Sequence, residues 1–186
     1  MGRTSSPKRS LGDLPSWAVV TASRRKHVAR VVRLLAEWAE AMDVSARERQ
    51  RWLRAAWMHD ALKDAPRAVV RKLAAPFAGP PAILHGPAAA RRAALAGERD
   101  RGVLDAIRYH SVGYADWDHV GRMLYLADFL EAGRRHHDAA RTAQAKRVPG
   151  DPDGVLWAVA RDRIAHGIRK GLPLLPETVA FWNALT

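Results

Sequence analysis

Residues 45–64, SARERQRWLRAAWMHDALKD, decide the fold. Ser45 and Glu48 stand at capping-box spacing, in which a serine oxygen closes the first turn of a helix. Trp52, Leu53, Ala56 and Trp57 follow at helical intervals and form one apolar face. His59 and Asp60 then sit side by side at the end of that apolar run, with Lys63 and Asp64 just beyond. His59 lies seven residues after Trp52 and three after Ala56, which puts it on the packed side. Charged groups are rarely buried unless they are paired or bound to a metal. The stretch therefore predicts a helix whose inner end carries polar chemistry.

The same period extends in both directions. Val28, Val31, Val32, Leu35, Trp38, Ala39 and Met42 recur at helical spacing within 23–42. Pro66 suits the first turn of a short helix, and Gly79-Pro80-Pro81 breaks the chain. Gly86-Pro87 opens a helix running to about Ala96. Val103, Leu104 and Ile107 mark another, ending near His110. Asp118 can cap a helix carrying Val120, Met123, Leu124, Ala127 and Leu130. The stretch 134–154, RRHHDAARTAQAKRVPGDPDG, is polar and reads as irregular in part. Two helices, over roughly 152–170 and 176–185, close the chain. No alternating strand pattern and no fixed repeat is present. The expectation is an all-α helical bundle: one domain over 15–186, its C-terminal helices in 152–186, preceded by a mobile basic tail over 1–14.

Composition narrows the chemistry. The chain has 186 residues and no cysteine, which excludes disulfides, zinc fingers and thiolate catalysis. No apolar run reaches the ~18 residues of a membrane span, and the basic N-terminus lacks the apolar segment of a secretory signal. The chain reads as cytoplasmic, without membrane contact. Lys plus Arg outnumber Asp plus Glu by 31 to 19, a net charge of +12. That surplus suits a polyanionic ligand, whether nucleotide, polyphosphate or nucleic acid. It also suits plain solubility, since the arginines are spread out with few aromatics between them.

Helical spacing places several polar residues among apolar ones. His27 lies four residues before Val31 and eight before Leu35. His110 lies three after Ile107 and seven after Val103. Asp128 lies four after Leu124 and eight after Val120. With His59, four separate helices each send a metal-capable side chain inward; Asp60 adds a fifth, and His85, beside Gly86-Pro87, is a sixth candidate. Any one of these histidines alone reads as a core residue hydrogen-bonded to a carbonyl. Together they are costly to desolvate unless they share a ligand. A divalent metal satisfies all of them, and nitrogen and oxygen donors without sulfur admit Fe, Mn, Co or Zn. Six donors are too many for one ion with an open position; they fit two, about 3.5–4 Å apart, bridged by an aspartate and a hydroxide.

The order His27, His59-Asp60, Asp128 resembles that of HD-domain metal-dependent phosphohydrolases. SRRKHVARVV (23–32), WMHDALKD (57–64), LHGPAAA (84–90), AIRYHSVG (106–113) and MLYLADFLEAGRR (123–135) are similar, in order, to segments of the YqeK-type HD proteins. Those are symmetrical diadenosine tetraphosphate hydrolases. The resemblance implies that His85 and His110 complete a set of six ligands, that the metals are iron, and that the substrate is cleaved to two ADP. In the family register Lys63 contacts phosphate and acts with Asp60 in catalysis, and Arg108 and Arg134 are candidate phosphate contacts. The last block departs from the family pattern, with Ala132 where a proline follows the glutamate. Asp64 reads as a cap for the helix at Pro66 or a partner for Lys63; His119, His136, His137 and His166 as surface or structural residues; Trp38, Trp52 and Trp57 as core; and Trp117 as a possible stacking surface for adenine. The rival readings are another HD nucleotide phosphohydrolase, or a basic helical protein that binds nucleic acid or regulates a partner. Cleavage of guanosine tetraphosphate fits less well, because Lys63 stands where HDxxED enzymes carry a glutamate.

Overall fold

The computed structural model describes residues 12–133 and 139–186. Within them the chain forms α1 (Ala22–Ala41), α2 (Ala46–Met58), α3 (Arg67–Ala74), a 3₁₀ turn at Pro81–Ile83, α4 (His85–Leu95), α5 (Arg101–Tyr109), α6 (His119–Leu130), α7 (Ala139–Arg147), α8 (Pro152–Arg169) and α9 (Pro176–Leu185). The described residues contain no strand, and the protein is all-α.

Capping chemistry sets the helix starts. Ser45 Oγ accepts from the Glu48 amide at 3.2 Å, which is the predicted cap of α2. Asp118 Oδ1 accepts from the Val120 amide at 3.0 Å and starts α6. Asp100 caps α5 through Val103 N, at 3.2 Å. Arg51 on α2 links these starts: it donates to Asp100 Oδ2 at 2.7 Å and to Asp118 Oδ2 at 2.6 Å.

The core is one apolar cluster in which Val28, Val31, Leu35, Trp52, Ile107, Leu124 and Leu156 are all but solvent-free. α1 packs on α2 and α6, α2 also on α5 and α6, and α4 on α3 and α5. α8 covers α6, and α9 leans on α8. Trp38 and Trp52 lie in this core and Trp57 is half-buried against it, as their spacing implied. Trp117 is core too, which corrects its reading as a base-stacking surface: its indole N–H donates to the Asp105 carbonyl at 3.2 Å and its ring meets Phe181 edge-on.

The polar stretch after α6 is more regular than expected. Residues 139–147 form α7, which buries none of its own residues. A helix without an apolar stripe leaves no periodic signal. The Trp38 indole tethers it by donating to the Ala145 carbonyl at 3.0 Å. The tail over 1–11 and residues 134–138, with Arg134, His136 and His137, lie outside the described residues. Among the described residues no helix is long and apolar enough to cross a membrane.

Candidate metal centre

His27, His59, Asp60, His85, His110 and Asp128 meet in the middle of the bundle, each at most 7% exposed. His27 comes from the first half of α1. His59 follows the last residue of α2 and His110 the last residue of α5, while Asp128 sits in the final turn of α6. Three helix C-termini thus bring their partial negative charge to one place, which favours a cation there. His85 is the first residue of α4. Gly86 behind it lets α4 close on α5, because a Cβ at that position would lie 2.7 Å from the Arg108 carbonyl oxygen.

Asp60 organises the cluster. Its Oδ2 lies 3.6 Å from Nε2 of both His27 and His59, and its Oδ1 lies 3.0 Å from His85 Nε2 and 3.5 Å from His110 Nε2. One carboxylate therefore faces a different pair of imidazoles with each oxygen. The groups His27–His59–Asp60 and Asp60–His85–His110 each have their donor atoms within 4.8 Å of one another. Asp128 Oδ1 lies 3.2 Å from His27 Nε2, beside the first group.

The far side of each ring fixes its orientation. His59 Nδ1 donates to the Ala56 carbonyl at 2.7 Å, and His110 Nδ1 to the Ile107 carbonyl at 2.8 Å. His27 Nδ1 donates to Glu131 Oε1 at 3.0 Å. At His59 and His110, with Nδ1 protonated, Nε2 carries the lone pair that points to the centre, the arrangement of metal-binding histidines held by outer hydrogen bonds. Nε2 of His59 is buried with no hydrogen-bond partner, and Nε2 of His27 has only the Asp128 carboxylate beside it, at 3.2 Å. Buried polar atoms are rarely left so, and a cation would satisfy both. The donor set fits divalent metal.

Electrostatics separate the imidazoles. Burial pushes His59 down to about 4, only partly offset by Asp60. Burial also takes His85 to about 4 despite its hydrogen bond to Asp60. His27 goes the other way, to about 9: burial opposes its proton, but hydrogen bonds to Asp128 and Glu131 outweigh that. Asp60 is held well below the usual carboxylate range; burial would raise it, and the surrounding imidazoles prevail.

Two residues of the centre escaped the sequence reading. Arg24 Nη1 donates to Asp60 Oδ2 at 2.7 Å; it stands three residues before His27, on the same face of α1, and that spacing was the available signal. Glu131 holds His27 and is itself bound by Arg30 and by the Gly133 amide at 2.7 Å. It is 2% exposed, and burial, which would raise its carboxyl, is outweighed by these donors, leaving it at about 2.

The remaining candidates divide. Lys63 lies at the edge of the cluster: its Nζ is 3.2 Å from His85 Nδ1 and donates to the Ala82 carbonyl at 3.2 Å, and burial lowers its pKa. Asp64 neither caps the helix at Pro66 nor pairs with Lys63. It accepts from the Thr21 amide and hydroxyl at 2.8 and 2.9 Å, and so ties the 59–65 turn to the start of α1. Arg108 is exposed, with its guanidinium 5.9 Å from the centroid of the Tyr109 ring. His119 and His166 are exposed. The C-terminal helices brace the segment after His110: Arg163 donates to the Ser111 carbonyl and Thr178 to the Val112 carbonyl, both at 2.9 Å.

The HD-domain family model matches residues 24–153, which span every donor. The chain belongs to the HD-domain family. Three curated relatives carry the name symmetrical bis(5'-nucleosyl)-tetraphosphatase. The protein of Halalkalibacterium halodurans is 30% identical over 55% of this chain and 54% of its own length. That of Bacillus subtilis is 25% identical over 89% of this chain and 91% of its own. That of Staphylococcus aureus is 26% identical over 54% and 53%. The match thus spans about half of two of these relatives and most of the third. A solved Clostridium acetobutylicum structure, described as a predicted HD superfamily hydrolase involved in NAD metabolism, superposes with a TM-score of 0.77. It covers 89% of this chain and 90% of its own at 23% identity, which speaks to the fold.

Proposed function

We propose that this HD-domain protein is a metal-dependent phosphohydrolase that splits diadenosine tetraphosphate symmetrically into two ADP. The observation that carries the reading is the Asp60 carboxylate, divided between two pairs of buried imidazoles, with the His59 Nε2 lone pair left without another partner. His27, His59 and Asp128 would hold one ion, His85 and His110 the other, with Asp60 between them. When bound, two divalent ions polarise phosphoryl oxygens and supply a water of lowered pKa. Iron is the metal assigned, with Mn, Co and Zn as alternatives of the same donor chemistry.

The side chains of the chain do the rest. Against the effect of burial, the imidazoles around Asp60 hold its carboxyl well below the usual carboxylate range, which favours the ionised form with both oxygens as acceptors. Glu131 and the carbonyls of Ala56 and Ile107 fix three rings so that each Nε2 faces inward. Lys63 and Arg24 flank the donors from two sides and would take the non-bridging phosphate oxygens, neutralising charge that spreads over them as the phosphorus is attacked. The exposed guanidinium of Arg108, and Arg134 beyond the described residues, are further phosphate contacts of this reading. The names of the curated relatives support the substrate. The test is product identification after incubating the metal-loaded protein with diadenosine tetraphosphate. ADP as sole product is expected; AMP plus ATP, or no turnover, refutes the assignment.

A further inference from the structure

One cavity opens beside the donor cluster. It encloses about 470 Å³, within the range of ligand pockets, about 300–1,000 Å³. Lys63 and His85 form its inner wall, so it begins at the candidate metal centre. Arg67 and Arg71 of α3 stand four residues apart on one helix face and line it farther out. Val70 and Leu84, both 8% exposed, line it too, with the exposed Pro80 and Pro81. Three cations and no carboxylate line this space.

The placement of the arginines is unfavourable without a ligand. Like charges four residues apart on a helix repel, and Arg67 is the first residue of α3, where the helix end is itself partially positive. Arg51 of α2, by contrast, is surrounded by the carboxylates of Glu48, Asp100 and Asp118. Neither Arg67 nor Arg71 has an ion pair among the described residues. A bound polyanion removes both conflicts.

We infer that this groove holds one nucleoside diphosphate half of the substrate, and that Arg67 and Arg71 bind the phosphate next to the nucleoside. This rests on the proposed phosphohydrolase activity. The phosphate at the metal centre is followed past Lys63 by the phosphate next to the nucleoside, which meets the two guanidinium groups, and the nucleoside lies among Val70, Leu84 and the two prolines. Guanidinium forks suit this role because they bind two phosphate oxygens at once.

Calorimetry of ADP and adenosine binding to the manganese-loaded protein tests the groove. In the R67A/R71A variant ADP affinity falls about tenfold or more, and adenosine affinity changes by less than about threefold, because adenosine has no phosphate for the guanidinium groups. Lys72→Ala, on α3 but outside the lining, serves as the control for lost surface charge and leaves both affinities within about twofold. Equal losses for ADP and adenosine, an ADP affinity unchanged in R67A/R71A, or no ADP binding by the wild-type protein overturns the assignment. Diadenosine tetraphosphate turnover by the wild-type protein is read in parallel. Absent turnover with arginine-dependent ADP binding removes the proposed reaction and leaves the groove; the converse removes the groove alone.

Discussion

Asp60 and Glu131 are both buried carboxylates, yet they do different work and fail differently. Asp60 faces four imidazoles, so Asp60→Asn keeps the shape and removes the charge that two cations would share. The expected outcome is loss of hydrolysis by at least about a thousandfold with unchanged far-UV circular dichroism; His59→Ala should behave alike, and full activity in either variant would contradict the site. Glu131 touches His27 rather than the centre. Glu131→Gln weakens its hold on the ring and should lower metal affinity about 10–100-fold, measured by manganese titration, while leaving a folded protein. At this scale the sequence was informative for donors: the positions of His27, His59, His110 and Asp128 among apolar residues carry inward orientation directly. It was silent on which carboxylate braces which imidazole, because Glu131 and His27 lie 104 residues apart. The fate of Asp64 was equally hidden, since its partner Thr21 is brought to it only by the packing of the 59–65 turn on α1.

Elements deliver these side chains, and two joints between them are sensitive. At the first, α4 meets α5 through Gly86. Gly86→Ala places a methyl 2.7 Å from the Arg108 carbonyl oxygen, so the helices must part. His85 and His110, whose Nε2 atoms are 3.0 Å apart, part with them. The variant should lose about 1–3 kcal/mol of stability and most of its metal affinity, checked by thermal unfolding and manganese titration. At the second joint, Arg51 ties α2 to the caps of α5 and α6. Its hydrogen bonds, followed by the opposing effect of burial, hold Asp100 at about 2, below its ordinary 3.8. A depressed carboxylate contributes stability above its unfolded value and loses it as pH falls through the folded value. The destabilisation caused by Arg51→Ala, about 1.5–3 kcal/mol near neutrality, should therefore shrink as pH drops from about 4 to about 2, as read from urea unfolding. A destabilisation independent of pH would contradict the network. Helix starts were readable because caps are local chemistry: Ser45 and Asp118 announce α2 and α6. Arg51 bridging two caps was not, since a surface-type arginine looks the same whether or not its partners converge.

On the scale of the molecule, a bundle built around desolvated imidazoles is incomplete without its ligand. Binding that favours the folded state stabilises it by about 2.7 kcal/mol at a hundredfold excess over the dissociation constant. For a chain of this size that is a rise in Tm of about 5–10 °C. Manganese or iron should produce it and a chelator should reverse it, together with activity; chelator-indifferent Tm and turnover would count against a metal centre. The all-α class followed from periodicity alone, since apolar stripes mark the helices of the core. α7 was obscured because it packs through a backbone carbonyl and presents no stripe of its own. The bracing of Ser111 and Val112 by Arg163 and Thr178 was likewise beyond local pattern, since it joins residues 52 and 66 apart. The most direct test of a cation pair shared by Asp60 is the stoichiometry of divalent metal bound to chelator-stripped protein, measured by titration with manganese under anaerobic conditions. About two ions per chain are predicted for the wild-type protein and none held tightly by Asp60→Asn. Fewer than one ion in the wild-type protein, or an unchanged count in the variant, would contradict the account.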